Sequence, residues 1–141
     1  MRILNFADGF TSASAPYGLG SLIETYQIKD NTTEALFTLD NSKNRSMFVD
    51  YELRRNGLGG SFIQSGSFII QYESVWRIHF GNFAGDDLLT FVPDDFEIAV
   101  LESPEMVNLG IDLFSGELFY KSGAMGGSYS GSLKISIVRV Q

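Results

Sequence analysis

The chain has no cysteine, and that absence excludes disulfide staples and thiolate metal sites outright. It has one histidine, one tryptophan and three prolines in 141 residues, so histidine-pair metal motifs are also missing. Positive charge is scarce: 10 Lys and Arg stand against 17 Asp and Glu, a formal net charge of −7. Nucleic acid is therefore not an expected partner, because phosphate binding depends on clustered cations and Arg54-Arg55 is an isolated pair. No run approaches the roughly 20 apolar residues that span a bilayer, and the first residues lack the apolar core of a signal peptide. A soluble chain without membrane insertion is expected.

What is present favours β structure. Hydrophobic residues make up 44%, and aromatics 13% with 12 Phe and 6 Tyr; there are 15 glycines. The length suits one domain with a full core. The clearest alternation is Met47 to Arg54, where Val49, Tyr51 and Leu53 share one face and Asp50, Glu52 and Arg54 the other. Phe68, Ile70 and Tyr72 repeat the pattern, as do Trp76, Ile78 and Phe80. Further strands are expected at Ile3–Phe6, Leu22–Ile28, Leu36–Leu39, Leu88–Val92, Phe96–Val100 and Val107–Phe114. Asn56–Gly60 reads as a mobile glycine-rich connection and Gly81–Asp87 as a loop. No stretch shows sustained helical periodicity. The expectation is an all-β domain, an antiparallel β-sandwich or jelly roll of roughly ten short strands. Residues 21–141 form that domain and residues 1–20 a lead-in segment or arm.

The last strand carries a signal of assembly. Leu133, Ile135 and Ile137 take one face, and Val138 and Val140 then make the other face apolar too. Val138 and Val140 are the expected subunit contacts.

Catalytic equipment is thin. His79 sits on the polar side of its strand beside Arg77, and no nucleophile elbow or phosphate loop is present. Asp86, Asp87, Asp94 and Asp95 concentrate carboxylates, yet lack the ordered spacing of a calcium loop, and solvated turns are the default reading. A sugar-active enzyme using these carboxylates is a weak alternative. Trp76 shares its face with Ile78 and Phe80 and reads as core. Tyr129 and Tyr120 are nominated for ligand binding, with Asn56, Leu58 and Met125 from the two glycine-rich tips. No cofactor is expected.

The order of pieces resembles a bacteriophage tail-fibre or virion structural domain family. The residues are Leu39-Asp40-Asn41, Arg45 to Arg55, Gly66 to Tyr72, Trp76-Arg77-Ile78, Gly116 to Tyr120 and Tyr129 to Lys134. The similarity covers roughly Leu36 to Val140 as spaced fragments, with Asp86 to Met106 as a longer loop. It implies a non-enzymatic homotrimer that binds a host cell-surface glycan or protein, located on a virion, or in a cell-surface fibre if bacterial. The alternative is a purely structural capsid or tail decoration without a receptor. The family has no shared active site to carry over.

Overall fold

A computed structural model describes residues 2–4, 22–39, 46–91 and 103–140. Ten strands and no helix are found among them: β1 (Arg2–Leu4), β2 (Leu22–Gln27), β3 (Thr33–Leu39), β4 (Ser46–Gly57), β5 (Gly60–Glu73), β6 (Val75–Gly85), β7 (Leu89–Phe91), β8 (Val107–Ile111), β9 (Glu117–Ser122) and β10 (Ser130–Val140). They form two five-stranded sheets, ordered β1-β3-β9-β8-β7 and β2-β10-β4-β5-β6. Pairing is antiparallel except at the two outer edges of the first sheet, where β1 runs parallel to β3 and β7 parallel to β8.

The alternation seen in the sequence is the basis of the sandwich. Met47, Val49, Tyr51 and Leu53 are buried on one face of β4, and Phe68 and Ile70 join them from β5. Leu133, Ile135 and Ile137 of β10 do the same, while Phe37, Leu39, Leu109, Leu118 and Tyr120 close the core from the other sheet. Trp76 is fully buried, as its strand pattern required. Buried Gln64 bridges the layers: its Nε2 donates to Tyr51 Oη at 2.7 Å, and its Oε1 accepts from Leu89 N at 2.9 Å and also from Leu88 N. Those bonds seat the chain where it enters β7 and satisfy groups that would otherwise be costly in the core.

Several expected boundaries move. Asn56–Gly60 is not a mobile connection, because β4 and β5 pair down to Gly57↔Gly60 and leave Leu58 and Gly59 as the turn. Gly60 has φ +128°, which glycine alone adopts without strain. The expected loop Gly81–Asp87 is largely strand, since β6 continues past a bulge to Gly85. The expected strand Phe96–Val100 lies outside the described residues. Arg2–Leu4, inside the expected lead-in arm, is an edge strand of the first sheet.

β10 lies inside its sheet, flanked by β2 and β4 of the same chain. Its register shifts between Ile137 and Arg139, so Val140 stands opposite Met47. A bulge interrupts the period of two there; the side chains of Val138 and Val140, the expected subunit contacts, lie outside the described residues.

Candidate functional site

The inward face of β4 ends in a charge. Arg55 follows Tyr51 and Leu53 on the buried side and is itself fully buried. All five of its guanidinium N–H groups are used. Nε donates to Tyr129 Oη at 3.0 Å; Nη1 donates to the carbonyls of Pro104 (2.9 Å) and Met106 (3.2 Å). Nη2 donates to Asp30 Oδ1 and to the Gly123 carbonyl, both at 3.0 Å. The planar guanidinium suits this convergence, because its donors are fixed in a fork and its charge is delocalised. The Tyr129 ring also lies 5.1 Å from the Arg55 Cζ.

The acceptors come from distant parts of the chain. Asp30 is in the β2–β3 turn, Pro104 and Met106 precede β8, and Gly123 and Tyr129 belong to the β9–β10 connection. Asp30 adds its own ties, accepting Met125 N on Oδ1 at 2.8 Å and Gly126 N on Oδ2 at 2.9 Å. Burial alone would raise its carboxyl, but those two N–H groups and the Arg55 guanidinium outweigh burial and hold it below its ordinary value. Gly123 has no room for a side chain, since an added Cβ would run into the Pro104 carbonyl.

Above this hub is an open groove of about 350 Å³ lined by Leu58, Gly59, Phe62, Pro104, Glu105 and Met125. Each wall is set by the hub or its neighbours. Phe62 pairs across the strands with Arg55 itself. Pro104 and Met125 are bonded to Arg55 and Asp30, and Leu58 N donates to the Gly126 carbonyl at 3.0 Å. Leu58 is 82% exposed and offers its apolar side chain at the rim.

The residues nominated from sequence divide in two. Leu58 and Met125 meet on the groove, with Asn56 nearby on β4 donating to Ser130 Oγ at 3.2 Å. The two tyrosines instead belong to the scaffold. Tyr120 is fully buried, and its Oη accepts Lys29 N at 3.0 Å. Tyr129 Oη, besides accepting from Arg55, donates to the Ile28 carbonyl at 2.7 Å. Burial raises both phenols above their ordinary value.

Of the acidic residues, Asp86 accepts Ile63 N at 2.9 Å as a strand-end cap, Asp87 is exposed, and Asp94 and Asp95 lie outside the described residues. No group of three or more His, Asp or Glu that would hold a metal occurs among the described residues. His79 is exposed on β6 opposite Ile69. Arg55, Phe62, Pro104 and Glu105 were not singled out from sequence. For Arg55 the signal existed: it falls two residues after Leu53 on the apolar face.

No family model, curated protein or solved structure matches the chain.

Proposed function

We propose that the chain is a non-enzymatic binding domain of the phage tail-fibre or virion type, which assembles as a trimer and presents the Leu58–Met125 groove to a cell surface. One observation carries this reading. Three connections far apart in sequence are fastened to a single buried cation, and two of them, the segment before β8 and the β9–β10 connection, form an open apolar groove together with the β4–β5 hairpin. Exposed apolar surface on a rigid support is what a binding face offers, because little ordering remains to be done on contact. The test is binding of the fluorescently labelled protein to a panel of bacterial cells, compared with Leu58→Ser. Binding that falls with Leu58→Ser supports the reading. Absence of binding across the panel assigns the chain to the structural alternative, a decoration of a capsid or tail.

A further inference from the structure

Glu105 is the one lining residue of the groove with a polar side chain. Among the described residues its carboxylate has neither a hydrogen bond nor an ion pair. The Asp30 carboxylate, by contrast, is matched by Arg55. The groove lining is thus apolar apart from the Glu105 carboxylate, in a chain of formal net charge −7.

These features discriminate between ligand chemistries. A sugar carries hydroxyls into a site, and each needs a partner to replace water. Three amides of the flanking loops are already committed, Leu58 N to Gly126, Met125 N and Gly126 N to Asp30, which leaves Glu105 as the one polar side chain of the lining. A volume of about 350 Å³ lies at the low end of the roughly 300–1,000 Å³ of ligand pockets. It holds a few side chains, not an extended saccharide.

Building on the groove as the binding face, we infer that its occupant is a protein segment that inserts an apolar side chain between Leu58, Phe62 and Met125 and sets a Lys or Arg against Glu105. Apolar contact supplies most of the affinity, and the rim ion pair supplies preference and salt dependence.

The test is selection of a randomised displayed peptide library on the intact protein, followed by anisotropy measurements on the enriched peptides after synthesis. Enriched sequences are expected to place Lys or Arg next to an apolar residue. Leu58→Ser is expected to weaken them at least tenfold. Glu105→Gln is expected to weaken them about two- to fivefold and to flatten the dependence on salt. Leu58 is exposed and Glu105 bonds to no described residue, so both variants keep the fold, as thermal melts will verify. Enrichment without a cation, or affinity indifferent to Glu105→Gln, overturns the cationic half. Failure to enrich, or affinity indifferent to Leu58→Ser, overturns the whole inference, as does glycan-array binding that Leu58→Ser abolishes. Cell binding that depends on Leu58 alongside any of these failures leaves the binding domain standing and removes only the peptide assignment.

Discussion

Truncating Arg55 to Ala is the sharpest perturbation of this molecule. The change deletes five donors at once and leaves three carbonyls, Tyr129 Oη and the Asp30 carboxylate short of a partner. A charge-assisted hydrogen bond contributes about 1.5–3 kcal/mol, but the five are coupled and do not add. Removing one partner of a buried ion pair costs about 3–5 kcal/mol; Asp30 is partly exposed, but the carbonyls of Pro104, Met106 and Gly123 lose donors as well, and about 3–5 kcal/mol is the figure expected for Arg55→Ala. Against a total stability of about 5–15 kcal/mol this is a large fraction. For a domain of this size it lowers Tm by roughly 12–20 °C. Arg55→Lys keeps the charge but has three donors on one centre, so an intermediate loss is expected. The assay is urea and thermal unfolding of both variants, completed by the Arg55→Ala/Asp30→Ala cycle, whose coupling is expected at about 1–3 kcal/mol. An Arg55→Ala protein that melts within about 3 °C of wild type would refute the hub.

Other outcomes follow from the same contacts. Because the Asp30 carboxyl is held low in the fold, the stability it contributes is complete above its unfolded pKa and is lost as pH falls through the folded one. Urea midpoints should therefore be flat above about pH 5 and fall below about pH 4, with a shallower fall in Asp30→Asn. Asp112, held low by the N–H groups of Ser115 and Phe114, adds to the slope. At the alkaline end the signs reverse: burial raises Tyr51, Tyr120 and Tyr129, so their contribution is complete below about pH 10 and lost as pH rises through the folded values. A Cβ at Gly57 would lie 2.8 Å from Met125 Cβ and 2.9 Å from the Gly126 carbonyl, so Gly57→Ala should cost about 1–3 kcal/mol by separating the two tips; an unchanged melting curve would show that the tips yield freely. For the proposed trimer, Val138→Asp with Val140→Asp should reduce the mass found by light scattering while the circular dichroism spectrum stays the same, and an unchanged oligomer mass would remove this strand from the interface.

The sheet pattern was legible because it is local. A strand with one buried face writes a period of two into its residues; Val49, Tyr51 and Leu53 were placed on one face on that ground alone, and that face is the buried one. The length of β6 was not legible, since Gly81 and Gly85 resemble a loop until pairing with β5 is known. The register shift after Ile137 is likewise a property of the pairing with β4. Arg55 was passed over because its charge argued for solvent while its position argued for the core, and position won once five acceptors converged on it. The groove is the least legible feature, because Leu58, Phe62, Glu105 and Met125 meet only through turns from separate parts of the chain. Tyr129 illustrates the converse: an aromatic at a loop mouth looks available, and its hydroxyl is in fact spent on Arg55 and Ile28.

The central claim is that the groove above the Arg55 hub is the binding face of the domain. Quantitative cell binding of wild type and Leu58→Ser, at equal fold stability, tests it most directly. The account predicts saturable binding by wild type and at least a tenfold loss on Leu58→Ser. Equal binding by the two proteins would contradict it.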